Sequence, residues 1–320
     1  MTGKTSRTGK KFQAYLGVAV VVLLLVITLL QGCGPKTVEQ SGSGYPLTIV
    51  DDLGRQVTIS KEPARIISLA PANTEILFAL GLGDKVVGVT EFCDYPPEAR
   101  NKPKIGGFST PNAELIVAAQ PDLVLAAGIH QEFIKQLEDA NLTVVAVDPQ
   151  NLTEVLKKIQ LIGRITGAVQ EANNLVGDMQ RRINKIRAEV QDLPDEQKPT
   201  VFFELWPDPL TTGGAKSFLH SLIVTAGGKN IAGSVEKDWV TYNPEVLLAQ
   251  NPEVIIFTHH GSSKQTVEQV KAREGWEQVA AIKNDRVYSV ADQNLIVRPG
   301  PRVVDGLEII AKFIHPEIFE

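Results

Sequence analysis

The most regular pattern of apolar positions in the chain lies between residues 168 and 190. Its apolar residues recur at steps of three and four, the spacing of one face of an α-helix. They are Leu175, Val176, Met179, Ile183, Ile186 and Val190. Gly167 precedes this stretch, and the polar, proline-containing residues 192–199 cannot continue it. The pattern predicts one long helix, extending for roughly 35 Å at about 1.5 Å per residue.

Short apolar segments alternate with helical segments on both sides of this helix. Strands are predicted at residues 65–69, 86–89, 122–126 and 143–147 before it, and at residues 200–205, 254–257 and 286–290 after it. A hairpin is predicted at residues 47–60. Strands that alternate with helices are typical of parallel sheets with crossover connections. The sequence therefore predicts an α/β fold of two lobes, residues 47–166 and 193–320, each with a central, mostly parallel sheet flanked by helices. One long α-helix, residues 167–192, would join them.

The two halves also share a segment. Residues 112–124 (NAELIVAAQPDLV) resemble residues 243–255 (NPEVLLAQNPEVI) in their Asn, their Glu two positions later, and their Pro-acid pair before a strand. Asn is a common helix N-cap and Glu in a first turn complements the helix dipole, so the match has a local explanation. Because the Pro-acid pair and the strand keep the same spacing, the pattern favours an internal duplication.

The first 32 residues have the composition of an export signal. Four basic residues, Lys4, Arg7, Lys10 and Lys11, precede an uncharged run over residues 12–30. Gln31, Gly32 and Cys33 follow this run. This end resembles the lipobox of bacterial lipoprotein signals, which implies cleavage before Cys33 and lipid attachment to its sulfur. The alternative is a transmembrane anchor, since the run approaches the length that crosses a bilayer. Residues 33–46 read as a flexible tether, and the remainder is expected outside the cytoplasm.

Composition narrows the classes of function. The 320 residues suffice for two domains, and the formal net charge of −5 becomes more negative once the leader is removed. A net acidic body argues against nucleic acid as a partner. Cys93 is the only other cysteine, so no intramolecular disulfide is expected if Cys33 carries lipid. Cys93 itself reads as a buried packing residue.

Candidate ligand contacts follow the predicted strands, because ligands of open parallel sheets lie beyond the carboxyl ends of the strands. These loops contain aromatic side chains in both halves, which would suit a bulky ligand with a flat, apolar surface. The alternative is that some of these rings fill the hinge or the lobe cores. The chain has no nucleophile elbow, phosphate loop or H-E-x-x-H motif, so no enzyme is predicted. His130, His259 and His260 could in principle hold a metal, but no metal site is predicted, because the adjacent side chains of His259 and His260 would point to opposite sides of an extended chain.

Four segments carry a resemblance to a known family. They are residues 65–75 (RIISLAPANTE), residues 94–97 (DYPP), Asn112 and Glu114 with residues 121–124 (PDLV), and Arg298 near Pro301-Arg302. With them, the chain resembles the periplasmic-binding proteins of ABC importers, in the class with a single rigid inter-lobe helix. That class includes receptors for cobalamin, haem and ferric siderophores, and the DYPP segment is most similar to the cobalamin receptors.

The resemblance implies a function and a set of site residues. Residues lining the ligand cleft would be Phe92, Phe108, Trp206, Trp239 and Arg298. Glu114 and Glu245, one on each lobe, would meet arginines of a two-subunit membrane permease. The implied protein is a lipid-anchored monomer outside the cytoplasm, without a cofactor of its own, which captures a corrinoid and delivers it to the permease.

The same resemblance leaves a second ligand class open, namely ferric siderophores or haem. Siderophore receptors tend to meet an anionic chelate with several Arg or Tyr, and this chain offers Arg298 in its cleft loops. It also has Phe92, Phe108 and Ala127 where cobalamin receptors often carry Tyr or Trp. An enzyme on a related scaffold would need several cysteines to hold a metal cluster, and Cys93 alone does not provide them.

Overall fold

A computed structural model describes residues 44–258 and 265–319. The predicted signal peptide, Cys33 and nearly all of the predicted tether lie outside the described residues, as do His259 and His260. The strands are β1 (Leu47–Val50), β2 (Gln56–Ile59), β3 (Ile66–Ser68), β4 (Val86–Val89), β5 (Leu123–Ala126), β6 (Val144–Ala146), β7 (Thr200–Glu204), β8 (Trp206–Pro207), β9 (Leu210–Gly213), β10 (Lys229–Asn230), β11 (Trp239–Thr241), β12 (Val254–Phe257) and β13 (Val287–Ser289).

The α-helices are α1 (Pro71–Ala79), α2 (Ala113–Ala118), α3 (Gln131–Asp139), α4 (Leu152–Thr166), α5 (Val169–Val190), α6 (Phe218–Thr225), α7 (Pro244–Gln250), α8 (Val267–Lys271), α9 (Ala280–Lys283), α10 (Asn294–Val297) and α11 (Val303–Ile314). The part of the chain described here also contains 3₁₀ segments at Gly83–Lys85, Pro97–Asn101, Gly128–His130 and Asp195–Gln197.

Two four-stranded parallel sheets define the two lobes. The N-terminal lobe contains the sheet β4-β3-β5-β6, and the C-terminal lobe contains the sheet β10-β7-β12-β13. Within each parallel sheet, the strand that comes first in the chain lies between the second and the third. Both lobes therefore have the same strand order. A small antiparallel sheet, β11-β9-β8, is added to the C-terminal lobe, and β1 and β2 form the predicted hairpin. The predicted α/β fold class is confirmed.

The repeated Pro-acid segments make equivalent contacts in the two lobes. Asp122, just before β5, accepts hydrogen bonds from the backbone N–H groups of Ala64 and Arg65 at 2.9 and 3.0 Å, where the chain enters β3. Glu253, just before β12, accepts one from the N–H of Thr200 at 2.8 Å, where the chain enters β7. Each acid therefore ties one central strand to the start of its neighbour, which supports the predicted duplication.

Helix α5 is the predicted connection between the lobes and begins one residue after the start of the apolar pattern. Its buried side chains are Ala172, Met179, Ile183, Ile186 and Val190. It packs on α4 in the N-terminal lobe and on α6 and α11 in the C-terminal lobe. A continuous apolar core runs from the first sheet through α4 and α5 to the second sheet, so the two lobes are not independently packed bodies.

The structure adds detail to the sequence prediction at three places near the cavity and the long helix. Helix α1 begins at Pro71, because the first helical position is one whose N–H needs no helical partner. Helix α4 was not predicted, although Asn151 caps it by accepting from the N–H of Glu154 at 3.0 Å and its apolar face is buried. The segment around Trp239, for which no strand was predicted, forms strand β11.

Candidate ligand-binding site

A cavity of about 750 Å³ opens between the lobes at the carboxyl ends of both parallel sheets. The N-terminal lobe contributes Ala70, Pro71, Ala72, Asn73, Phe92, Phe108, Ser109, Ala127, Ile129, Val147, Asp148, Pro149 and Gln150. The C-terminal lobe contributes Leu205, Ser217, Phe218, Leu219, Asp238, Trp239, Ile296, Val297, Arg298 and Pro299. This is the edge at which parallel sheets place their ligand-binding loops, and its volume lies within the usual range for ligand pockets.

Large apolar side chains on the cavity wall are left in solvent. Phe92, after β4, has an exposed fraction of 61%, and Trp239, at the start of β11, has one of 56%. Ile129 and Val297 are exposed on the same wall. Exposed apolar surface that is grouped in one concavity is typical of a ligand-binding groove. The two lobes therefore present apolar surface to one another across the opening.

Phe108 is fixed to the N-terminal lobe by His130. The Nε2 atom of His130 lies 2.6 Å from the carbonyl oxygen of Phe108, and the Nδ1 atom accepts a hydrogen bond from the N–H of Ala127 at 2.9 Å. Since Nδ1 accepts, Nε2 carries the proton and donates. The Phe108 ring also meets the imidazole edge-on, with 5.4 Å between ring centroids. Both ring nitrogens of His130 are therefore engaged in holding two loops of the cavity wall.

The other two tryptophans lie elsewhere. Trp206 is half-buried in β8 and is not among the residues that line the cavity; its indole N–H donates to the carbonyl oxygen of Asp208 at 2.9 Å. Trp276 is buried in the core of the C-terminal lobe, with the Arg273 guanidinium 4.7 Å from its ring centroid. Of the three tryptophans, the structure brings Trp239 to the cavity.

Arg298 lines the cavity while its guanidinium binds groups of the opposite lobe. Nη1 donates to a carboxylate oxygen of Asp94 at 2.6 Å and of Glu75 at 3.2 Å, and Nη2 donates to the carbonyl oxygen of Phe92 at 3.1 Å. Burial alone would raise the pKa of Asp94, but the hydrogen bond and the charge of Arg298 outweigh burial and lower it. Asp94 is thus held in its ionised form beside Arg298.

Arg302 makes a second contact between the lobes. Its Nε donates to Oε2 of Glu75 at 2.9 Å and its Nη2 donates to Oε1 at 2.7 Å, a bidentate pair. Its Nη1 donates to Asp292 at 3.1 Å, and its guanidinium carbon lies 3.8 Å from the ring centroid of Tyr95. The hydrogen bond with Glu75 raises the pKa of the Arg302 guanidinium. We call Glu75, Asp94, Arg298 and Arg302 the inter-lobe ion cluster.

Two carboxylates line the cavity, Asp148 from the N-terminal lobe and Asp238 from the C-terminal lobe. Burial raises the pKa of Asp148, and the negative charges of Asp52 and Asp238 add to this effect. Asp148 accepts a hydrogen bond from the side-chain amide of Gln150 at 3.1 Å. Carboxylates on the cavity wall suit a ligand that brings hydrogen-bond donors.

The two glutamates predicted to meet a permease are both exposed, in the first turns of α2 and α7. The helices that carry Glu114 and Glu245 are capped by Asn112 and Asn243, whose side chains accept from backbone N–H groups at 3.1 and 2.8 Å. Cys93 is buried, as predicted, with its sulfur 3.1 and 3.2 Å from the hydroxyls of Thr74 and Thr90.

The sequence interpretation missed the residues that act across the lobes. Glu75 was quoted within a motif without a role, and Asp148 and Asp238 were not assigned one. Glu75 is an acid that directly precedes apolar residues of a helix, Ile76 and Leu77, and a buried acid usually requires a cationic partner. That signal was present in the sequence, although its partner could not be identified from local pattern.

Across residues 44–258 and 265–319, no helix has the length and apolar character that a membrane span requires.

Comparisons with known proteins agree with this arrangement. Residues 66–293 match the model of a family described as periplasmic binding protein. The uncharacterised ABC transporter substrate-binding lipoprotein YvrC of Bacillus subtilis is 38% identical over 310 residues, covering 93% of this chain and 96% of the relative. A vitamin B12-binding protein of Vibrio cholerae is 27% identical over 253 residues, covering 78% and 88%.

A solved structure has the same fold. It is described as a possible iron-binding (periplasmic solute-binding) protein from Staphylococcus epidermidis, with a TM-score of 0.69 and 32% sequence identity. The match covers 80% of this chain and 100% of the solved chain.

Proposed function

The chain belongs to the periplasmic binding protein family, whose members are solute-binding components of transport and not enzymes, and we propose that it is a receptor for a corrinoid. It would capture a cobalamin-type ligand in the cavity between the lobes and deliver it to the permease of an ABC transporter. One observation carries this proposal. Exposed apolar side chains from both lobes, Phe92 and Ile129 on one and Trp239 and Val297 on the other, face one cavity of about 750 Å³.

The physical reason is the match between this wall and a large planar ligand. Aromatic rings left in water gain free energy when a flat, apolar ligand covers them. The carboxylates of Asp148 and Asp238 on the same wall would accept hydrogen bonds from the amide groups at the edge of a corrinoid. Phe92, Phe108, Trp239 and Arg298 are the predicted cleft residues that line this cavity.

A ferric siderophore or haem is the second candidate ligand class. The similarity to the possible iron-binding protein supports it. Anionic chelates are usually met by accessible cations, and the described residues that line the cavity include one, Arg298, whose guanidinium already binds two carboxylates. This engagement favours the corrinoid.

Ligand titration tests the proposal. The purified full-length protein is titrated with cyanocobalamin, haemin and a ferric siderophore, and binding is measured by equilibrium dialysis. Saturable binding of cyanocobalamin, with weaker binding of the iron compounds, is expected. Saturable binding of an iron compound alone would overturn the corrinoid assignment and favour the second class. The visible absorption spectrum of the protein from its native host gives an independent check, since each ligand class has its own colour.

We also propose the cellular arrangement. Cleavage before Cys33 and lipid attachment to its sulfur would anchor the chain to the outer face of the membrane, with residues 33–46 as a tether. The YvrC relative is named a lipoprotein, which supports this. Glu114 and Glu245, exposed on equivalent helices of the two lobes, would meet basic residues of a permease with two subunits. A monomer with one acid on each lobe fits such a partner.

The anchor has its own test. Replacing Cys33 with Ser should abolish incorporation of labelled palmitate and release the protein from the membrane fraction. Persistent membrane attachment of the Cys33→Ser variant would instead support an uncleaved transmembrane segment.

A further inference from the structure

The inter-lobe ion cluster lies beside the cavity, and its ion pairs connect the two lobes. Glu75 extends from α1 of the N-terminal lobe, and its side chain is 2% exposed. Arg298 and Arg302 come from the segment between α10 and α11 of the C-terminal lobe, and both are largely buried. Arg298 lines the cavity, whereas Arg302 does not.

We propose that Glu75, Arg298 and Arg302 are positioning residues, which hold the lobes at one separation across the cavity mouth, and that the Arg298 guanidinium orients Phe92 without binding the ligand. The ligand-binding part of this inference rests on the proposed function. The part that concerns the lobes does not depend on any ligand.

The cluster closes a ring of packed helices. Helix α5 packs on α4, and α4 packs on α1, which carries Glu75. On the other side α5 packs on α11, where Arg182 of α5 donates to Asp305 at 2.5 Å and to Glu308 at 2.7 and 2.8 Å. Arg302 directly precedes α11 and binds Glu75. Rotation of one lobe about α5 therefore has to separate Arg302 from Glu75.

Separating this pair is unfavourable because the carboxylate is buried. Glu75 accepts three hydrogen bonds, two from Arg302 and one from Arg298, and all three donors belong to the other lobe. Removing the donors would leave an ionised carboxylate in an environment with little water. The two lobes are also in contact here, since a Cβ atom at Gly300 would lie at van der Waals distance, 3.4 Å, from the carbonyl oxygen of Ala72 in α1. The closed ring resists opening.

The contacts of the Arg298 guanidinium determine how it can act on a ligand in the cavity. Its three acceptors are Glu75, Asp94 and the carbonyl oxygen of Phe92, and all are in the N-terminal lobe. Three of its five N–H groups are engaged in this way, and because two of the three acceptors are carboxylates, the charge of Arg298 is already compensated by the N-terminal lobe. The contact with Phe92 instead fixes the backbone that carries an exposed ring of the cavity wall. Arg298 thus acts on the ligand through Phe92.

Hydrogen exchange tests the positioning role without a ligand. In the full-length protein, amide exchange is compared for peptides covering residues 71–79 and residues 294–302, one from each lobe. Arg302→Met and the milder Asp94→Asn should increase exchange in both peptides, by about tenfold for Arg302→Met. Arg181→Met is the matched control, because Arg181 pairs with Asp178 on the exposed face of α5. Unchanged exchange in folded Arg302→Met protein would overturn the proposal.

Ligand titration separates positioning from direct contact. Arg302→Met should weaken cyanocobalamin binding about as much as Arg298→Met does, roughly tenfold, although Arg302 does not line the cavity. Weaker binding in Arg298→Met with wild-type binding in Arg302→Met would overturn the assignment and make Arg298 a direct contact. If wild-type protein does not bind cyanocobalamin, the proposed function fails, and the exchange measurement still decides the positioning role.

Discussion

His130 donates a hydrogen bond from Nε2 to the carbonyl oxygen of Phe108 across 2.6 Å, while its Nδ1 accepts from the N–H of Ala127. One buried imidazole therefore joins two loops that follow different strands of the N-terminal lobe. Both loops line the cavity. The position of the Phe108 ring depends on a residue that is not itself on the cavity wall.

Replacing His130 with Ala should loosen this wall. The carbonyl of Phe108 and the N–H of Ala127 would lose their partner, which should lower the free energy of unfolding by about 1–3 kcal/mol. Urea denaturation measures this change, and cyanocobalamin affinity should fall with it. Gln131→Ala, an exposed neighbour, is the control. Wild-type stability in the His130→Ala protein would contradict the role assigned to the imidazole.

The same histidine should make stability depend on pH. Burial lowers the pKa of His130 more than its hydrogen bonds raise it, whereas an unfolded histidine titrates near about 6.5. On acidification the unfolded state therefore takes up this proton first. The stabilisation from neutral His130 is complete above about pH 6.5 and decreases as the pH falls below that value.

Unfolding of wild-type and His130→Ala protein between pH 5 and 8 measures this dependence. The wild type should lose stability more steeply on acidification than the variant. His220, whose pKa is also lowered by burial, is present in both proteins and cancels in the difference. If stability depended on pH in the same way in both proteins, His130 would be excluded as the source of the pH dependence.

Trp239 should contribute more to ligand affinity than Trp206. The Trp239 ring is exposed on the cavity wall, whereas Trp206 lies outside the lining. Removing a central aromatic contact typically costs at least about 2 kcal/mol of binding free energy, roughly thirtyfold in affinity. Equilibrium dialysis with cyanocobalamin should give this loss for Trp239→Ala and near wild-type affinity for Trp206→Ala. A larger loss of affinity in Trp206→Ala than in Trp239→Ala would instead indicate that Trp206 contacts the ligand.

A buried ion pair should stabilise the C-terminal lobe. Arg273 binds Glu204 through two hydrogen bonds of 2.6 Å, and the Glu204 side chain is fully buried at the end of β7. Arg273→Met should lower the free energy of unfolding by about 3–5 kcal/mol, because the carboxylate loses its guanidinium in a buried site. Adding Glu204→Gln should recover part of the loss. Additive losses in the double variant, measured by thermal unfolding, would argue against a coupled pair.

Glu114 and Glu245 should affect delivery of the ligand to the permease and not binding of the ligand in the cavity. Both are exposed and neither lines the cavity, so Glu114→Gln with Glu245→Gln should leave cyanocobalamin affinity unchanged. Transport into proteoliposomes that contain the cognate permease should fall, because two charge contacts are lost. Glu196→Gln, an exposed acid after α5, is the control. Normal transport by the double variant would remove both residues from the docking surface.

Sequence pattern predicted the features that depend on neighbouring residues. The apolar spacing located α5 within one residue at its start, since helix periodicity and burial repeat over six turns. Asn112 and Asn243 were predicted as caps, and each accepts a backbone hydrogen bond within its own first turn. Helix α4 carried equally local signals in Asn151 and Glu154, but no helix was predicted there.

The sequence by itself determined that this chain has two α/β halves, a long helix between them and aromatic residues in the loops where parallel strands end. The tertiary structure alone decided which of those residues share a cavity, and it separated Trp239 from Trp206. It also paired Glu75 with Arg302, 227 positions apart in the chain. Helix periodicity and helix capping depend on residues that are a few positions apart, so the local sequence determines them. A buried charge, in contrast, is satisfied by whichever distant group the packed lobes bring within hydrogen-bond distance, and local pattern does not encode that distance.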